Sequence, residues 1–153
     1  MNEIKTYKNR KVVWVDYNEL LDGQMPKNDW ICLAISSELK PSYDKFDRFT
    51  RDAIKNGILE FKGHGEFGEL LHDWFDETMV IMENHSELEV MTTWHKGKSL
   101  ADTFWQCFFA TCLPEATDYE RLKLVCTDLD GIDRKEELAN YIILFEDGWL
   151  PKD

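Results

Sequence analysis

Residues 58–75 read ILEFKGHGEFGELLHDWF and contain a strand, a glycine turn and a helix in succession. The run ILEFK is short and largely apolar, as in a buried strand, and three glycines follow it. Apolar side chains then return at helical spacing, at Phe67, Leu70, Leu71 and Trp74. The stretch therefore predicts one β–α unit, the building block of a parallel sheet.

The same alternation extends along the chain in both directions. Strands are predicted at residues 11–17, 30–36, 88–94 and 122–128, and helices at 41–55, 99–112 and from about 133 onward. Ser99 suits a helix N-cap, and Asp133 with Glu136 suits an acidic capping box. The run WICLAIS is nearly all apolar, which is typical of a strand buried on both faces. The sequence predicts an α/β three-layer sandwich with a mostly parallel sheet, flavodoxin-like or Rossmann-like.

The chain has 153 residues with no linker or repeat, so we expect one domain, residues 1–153, with 1–29 as an N-terminal strand and loop extension. The four cysteines lie in apolar stretches without a C-x-x-C spacing, which favours free thiols in a reducing compartment. No stretch resembles a signal peptide or approaches the length of a membrane span. These features predict a cytoplasmic protein.

Charge is concentrated in one part of the sequence. Lys and Arg number 18 against 30 Asp and Glu, for a net charge of −12. Between residues 60 and 89 the only Lys or Arg is Lys62, and there are nine acids: Glu60, Glu66, Glu69, Asp73, Asp76, Glu77, Glu83, Glu87 and Glu89. Such a surface repels nucleic acid and anionic membranes. It is either a solvated face that aids solubility or a binding surface for a basic protein, with Glu66, Glu69, Asp73, Asp76 and Glu77 as partner-binding residues.

The glycines at 63, 65 and 68 have the G-x-G-x-x-G spacing of a dinucleotide-binding turn. Glu66 and Glu69 would oppose a bound anion at the start of the following helix. An acid following the next strand, which would contact a ribose, is missing. We therefore interpret the glycines as a tight strand-to-helix turn.

A second pattern is LKLVCTDLDGID, residues 122–133. It resembles the first motif of the haloacid dehalogenase family of phosphotransferases, which implies Asp128 as nucleophile and Asp130 as general acid/base, with magnesium alongside. Ile132 replaces the family's Thr, and only 23 residues follow Asp130. An Asp-Gly turn after a strand is the alternative.

The segment LEVMTTWHKGKSLADTFWQCFFA resembles an uncharacterised family of small bacterial proteins with M-T-T-W-H at a strand end and a later L-x-x-x-F-W helix. The matching residues are 91–95, Leu100, Phe104 and Trp105. The resemblance implies an α/β domain and no known activity.

Polar side chains follow several predicted strands, and carboxyl ends of parallel strands are where α/β sheets bind ligands. The candidate ligand-binding residues are Thr92, Thr93, Trp94, His95, Lys96, Lys98, Ser36 and His64, which could hold a small anion. The catalytic candidates are His95, Asp128 and Asp130, with His95 as base and Asp128 as its orienting group. A core Trp, a solvent-facing His and a loop of lysines are the structural alternative.

No Walker loop, G-x-S-x-G elbow or H-E-x-x-H is present, and no cofactor or metal site is predicted. Two functional hypotheses follow. The first is a small acidic interaction protein, such as a regulator, inhibitor or immunity-like protein. The second is an enzyme or small-ligand binder that uses His95, Thr93 and Asp128.

Overall fold

A computed structural model describes residues 1–82 and 90–152, which form a six-stranded sheet and five helices. The strands are β1 Asn2–Tyr7, β2 Arg10–Trp14, β3 Trp30–Ile35, β4 Ile58–His64, β5 Met91–His95 and β6 Lys123–Asp128. The helices are α1 Tyr17–Leu21, α2 Tyr43–Lys55, α3 Gly68–Ile81, α4 Leu100–Phe109 and α5 Lys135–Glu146. None of the helices in these ranges combines the length and the apolar character that a membrane crossing needs.

The strand order is β1-β2-β6-β3-β4-β5. Only β1 and β2 pair antiparallel, and every other neighbouring pair is parallel. The prediction of a mixed α/β fold with a mostly parallel sheet is confirmed. The last strand, β6, lies between β2 and β3, so β5 forms one end of the described sheet.

The hydrophobic core consists of two clusters that share the strands. In β3, the side chains of Trp30, Cys32 and Ala34 join a cluster with residues of α1, α2 and α3. The alternate side chains of β3, at positions 31, 33 and 35, join a second cluster with residues of α4 and α5. All six residues of β3 are buried, as the apolar run predicted.

The sequence analysis missed the N-terminal hairpin. Lys8 and Asn9 connect β1 to β2, and both have positive φ, 48° and 64°. Two consecutive left-handed residues are typical of a tight two-residue hairpin turn, but the usual Asn-Gly or Asp-Gly signal is absent here. The short helix α1 was also missed.

The predicted starts of α2 and α4 are confirmed, whereas the start of α5 and the end of α4 differ from the predictions. The hydroxyls of Ser42 and Ser99 accept from the N–H groups of Lys45 and Asp102, so both N-caps are present. The capping box at residue 133 was wrong: Arg134 is the N-cap of α5, and Asp133 accepts from the Lys135 N–H instead. Helix α4 ends at Phe109, three residues earlier than predicted. Residues 88 and 89 of the strand predicted at 88–94 lie outside the described residues.

Candidate functional site

The strand register fixes the positions of the residues at the carboxyl edge. Asp128 pairs with Ile35, Ile35 pairs with His64, and His64 pairs with His95. His64 and His95 are therefore neighbours, whereas Asp128 is three strands from His95. At about 4.8 Å per strand this separation is roughly 14 Å between backbones. The structure does not bring His95 and Asp128 together as a base and its orienting group.

Both carboxylate oxygens of Asp128 accept hydrogen bonds from other residues of the protein. It is 2% exposed, and its Oδ2 accepts a bond of 2.7 Å from Nε of Arg134. Its Oδ1 accepts from the Asp130 N–H, also at 2.7 Å. Burial lowers the pKa of Arg134, but the bonds to Asp128 and Glu137 outweigh it and hold that pKa above its ordinary value. The sequence analysis did not identify Arg134, because no motif links it to Asp128.

Asp130 holds the loop that follows β3. Its carboxylate accepts three backbone N–H bonds of 2.9–3.0 Å, from Ser37, Glu38 and Leu39. Burial pushes the pKa of Asp130 up, but these three bonds, with a contribution from Arg134, outweigh it and hold the pKa below its ordinary value. Both carboxylates of the D-x-D-G pattern thus make structural contacts. Within residues 1–82 and 90–152, no group of three or more His, Cys, Asp and Glu could hold a metal ion.

The M-T-T-W-H segment divides between the two faces of the sheet. Thr92 donates to Oδ1 of Asp76 on α3 at 2.7 Å, and the Trp94 ring lies 4.6 Å from the ring of His72. Thr93 lies on the opposite face, where it accepts from Nζ of Lys62 at 3.3 Å. Because side chains alternate along a strand, His95 shares the face of Thr93. The predicted ligand-binding residues of this segment therefore do not form one site.

His64 is buried on the face of the sheet that α4 covers. It is 8% exposed, and its Nδ1 lies 2.8 Å from the Thr103 hydroxyl. Ser36 is fully buried, and its backbone bonds to the His64 carbonyl and the Phe67 N–H. Among the candidate ligand-binding residues, these two are the least accessible to a ligand from solvent.

The glycine turn packs strand against helix. A Cβ on Gly63 would collide with the carbonyl oxygen of Gly68, so the backbone of α3 lies directly against β4. The Phe67 and Gly68 N–H groups donate to the carbonyls of Ser36 and Gly65 at 2.9 and 3.0 Å. These contacts occupy the backbone donors that a pyrophosphate would use, which supports the interpretation of a tight turn.

The two lysines after β5 differ in their surroundings. Nζ of Lys96 lies 3.6 Å from a carboxylate oxygen of Glu66, so Lys96 forms an ion pair with a residue of the glycine turn. Lys98 is exposed, just before the Ser99 cap of α4. The anion site predicted here would depend mainly on Lys98.

One member of the predicted acidic region, Glu60, does not lie on the surface. Glu60 and Lys62 are each 1% exposed, because both side chains lie under α4, so Glu60 is not part of the acidic surface. Glu83, Glu87 and Glu89 lie outside the described residues. In the described part of the predicted acidic region, the carboxylates at the surface are on and before α3, at Glu66, Glu69, Asp73, Asp76 and Glu77.

Glu60 is part of a buried ionic cluster that the sequence analysis missed. Its carboxylate lies 3.9 Å from Nζ of Lys62, and burial raises the pKa of Glu60 despite that lysine and Arg10. Arg10 donates to the Cys107 carbonyl at 2.6 Å, and Lys62 donates to the Ala110 carbonyl at 3.4 Å. Both cations thus compensate the C-terminal carbonyls of α4. The cluster is buried and structural.

Exposed apolar side chains continue the acidic row of α3. Val80 and Ile81 are 62% and 64% exposed, one turn after Asp76 and Glu77. Trp94 on β5 is also exposed, but it lies beside His72, about two helical turns before Val80 and Ile81. The apolar run TMVIM was the sequence signal for this patch, which becomes visible once α3 is seen to extend through Ile81.

Comparison with known proteins identifies the family of this chain. No curated protein and no solved structure matches the chain. The model of the family described as domain of unknown function DUF7684 matches residues 13–143, which include β3, β4, β5 and β6 and the last two residues of β2. The chain belongs to this family.

Proposed function

We propose that the protein is a small interaction module that binds a basic partner through the outer surface of α3. The observation that carries this proposal is the combination on one helix face of exposed carboxylates with exposed apolar side chains. Asp73, Glu77 and Val80 follow one another at spacings of four and three residues, so they share one face. Contiguous apolar surface bordered by charge is characteristic of protein interfaces.

The charge of this surface determines the class of partner. A second copy of the chain would place like carboxylates opposite one another, and the net charge of −12 would add to the repulsion. Lys and Arg side chains on a partner would instead pair with Asp73 and Glu77 and contact Val80 with their aliphatic stems. The partner is therefore a basic protein segment that also carries apolar residues.

The test selects binding peptides without assuming a sequence. A random 12-residue peptide library is screened against the immobilised protein, and enriched peptides are measured by fluorescence anisotropy. We expect Lys- and Arg-rich sequences that lose binding to the double variant Asp73→Lys with Glu77→Lys. The matched control, Glu115→Lys with Glu120→Lys, makes the same charge change at exposed positions away from α3. Selected peptides without basic residues, or equal binding to both double variants, would refute the proposal.

A second candidate function is small-anion binding at the carboxyl ends of β4 and β5. The observation that favours it is that His95, which pairs in register with the buried His64, is followed within three residues by the exposed Lys98. A thermal-shift screen with phosphate and nucleotides tests it, because a ligand at 100 times its dissociation constant adds about 2.7 kcal/mol to stability. A shift that His95→Ala abolishes, and His72→Ala preserves, supports this function. A flat response excludes it.

The same proposal includes the fold type and the cellular location that the sequence predicts. The two core clusters, one with α1–α3 and one with α4 and α5, support a single three-layer domain of the flavodoxin-like or Rossmann-like type. The four free cysteines support a reducing, cytoplasmic location.

A further inference from the structure

The two ends of the sheet differ in how they are protected against a further strand. At one end, β1 carries Glu3 and Lys5, and its register with β2 shifts between these two residues. Charged side chains and bulges are the usual means of blocking an edge strand. At the other end, β5 has the sequence MTTWH, without Lys, Arg, Asp, Glu or Pro, and its register with β4 is regular throughout. In the described chain, β5 is thus an unprotected edge strand.

The outer edge of β5 presents backbone donors and acceptors. The His95 carbonyl points toward β4, where it accepts from the Gly65 N–H at 3.3 Å. Both polar backbone groups of a strand residue point to the same side, and the side alternates along the strand. Thr92 and Trp94 therefore direct their N–H and C=O groups to the outer edge.

The side chains beside this edge determine which kind of peptide segment can pair with β5. Thr92 is bonded to Asp76, and Trp94 lies against His72, so α3 runs alongside β5 on one face. Asp73 and Glu77 are exposed on the same helix. An added strand would place every second side chain next to these carboxylates, where Lys or Arg is favoured.

We infer that β5 binds its partner by strand addition, as an extended segment with basic residues at alternate positions. The inference rests on the proposed function and specifies the form in which the basic segment is recognised. Main-chain bonds to Thr92 and Trp94 supply affinity, and the carboxylates of α3 supply selectivity. The basic side chains lie on the α3 face, and the intervening ones lie on the α4 face beside Met91.

The probe is the peptide acetyl-Val-Lys-Val-Lys-Val-Lys-Val-amide, with two backbone N-methylated versions. One version is methylated on the lysines and the other on the internal valines. Because only alternate N–H groups of a strand point at its neighbour, one set should lower affinity by about tenfold or more, and the other should leave it within about twofold. Loss with methylated lysines indicates antiparallel addition, and loss with methylated valines indicates parallel addition. Equal affinity for the two sets would overturn the inference.

A pair of protein variants tests the same main-chain hydrogen bonds by changing β5 instead of the peptide. Thr92→Pro removes the outward N–H without removing a bond to β4, since proline is tolerated where an edge N–H faces solvent. Thr92→Val keeps the N–H and loses the same hydroxyl bond to Asp76. We expect the unmethylated peptide to bind the Val variant and lose at least about tenfold affinity for the Pro variant. Circular dichroism and thermal melting confirm that both variants fold.

The outcomes separate the two proposals. If the peptide loses affinity for Asp73→Lys with Glu77→Lys but binds Thr92→Pro and both methylated sets equally well, the basic partner stands and strand addition is wrong. If charge reversal does not change the affinity, the proposed function itself fails. Absence of binding to the wild-type protein at millimolar peptide overturns both.

Discussion

Replacement of Asp130 tests how the loop after β3 is held at the carboxyl edge. Asp130→Ala removes the acceptor of three backbone N–H groups, those of Ser37, Glu38 and Leu39. A bond to a charged group contributes roughly 1.5–3 kcal/mol when buried, and less where water can replace the acceptor. The bonds to Glu38 and Leu39 are exposed and the bond to Ser37 is half-buried. We therefore expect a loss of about 2–4 kcal/mol in the free energy of unfolding at pH 7, not the sum of three buried bonds.

The effect should depend on pH with a defined sign. The folded-state pKa of Asp130 is below its ordinary value, so its ionised carboxylate contributes stability above the unfolded pKa of about 3.9. That contribution is lost as the pH falls through the folded-state pKa. The difference between wild type and Asp130→Ala should thus be constant from pH 7 to about pH 5, and should shrink progressively below that.

Urea denaturation followed by tryptophan fluorescence measures the difference at each pH, and the melting temperature should fall by about 4–16 °C at pH 7. The control is Asp133→Ala, an exposed carboxylate that accepts one N–H bond, and its urea midpoint should change much less. Added acetate or formate should restore part of the stability of Asp130→Ala, because a free carboxylate can occupy the same three donors. A loss below about 0.5 kcal/mol, or a loss that does not change with pH, would refute this assignment for Asp130.

Two further substitutions and one titration of the native protein test other features of the structure. Gly63→Ala should destabilise the fold by about 1–3 kcal/mol in urea titrations, because its Cβ meets the backbone of Gly68; a neutral effect would contradict the close contact. Lys62→Met should cost up to about 3–5 kcal/mol in the free energy of unfolding, because the buried Glu60 loses Lys62 and keeps only Arg10 as a compensating cation. The double variant with Glu60→Gln should recover part of that loss, and additive losses would exclude coupling of the pair. Thiol titration of the native protein should detect one fast-reacting cysteine, Cys112, and three more only after unfolding, since the others are buried and burial raises their pKa values, at Cys32, Cys107 and Cys126.

Sequence reasoning located the parallel strands because their signals are local. The buried run at 30–36 and the glycine turn at 63–68 are recognisable from composition and spacing alone. The hairpin of β1 and β2 was missed because Lys8 and Asn9 adopt positive φ without the usual glycine. The burial of Glu60 was missed for a different reason. A charged residue in a strand is normally exposed, and only the position of Lys62, Arg10 and α4 explains why this one is not.

The candidate site was predictable only in part. Alternation along a strand separates Thr92 and Trp94 from Thr93 and His95, and that separation follows from the sequence once the strand is recognised. The relation of His95 to Asp128 does not, because it depends on the order of strands in the sheet. Strand order is set by long-range packing, which has no local signature in a single sequence.

The strand order explains both why His95 and Asp128 are separated and why β5 has a free edge in the described sheet. β6 lies between β2 and β3 instead of beside β5. Its Asp128 is consequently three strands from His95, too far for the two side chains to act as a catalytic pair, and Asp128 accepts a hydrogen bond from Arg134. The same placement leaves β5 at the end of the sheet, with the backbone of Thr92 and Trp94 directed outward. The position of the last strand therefore provides the edge that the proposed strand addition requires, and the N-methylated peptides test that proposal directly.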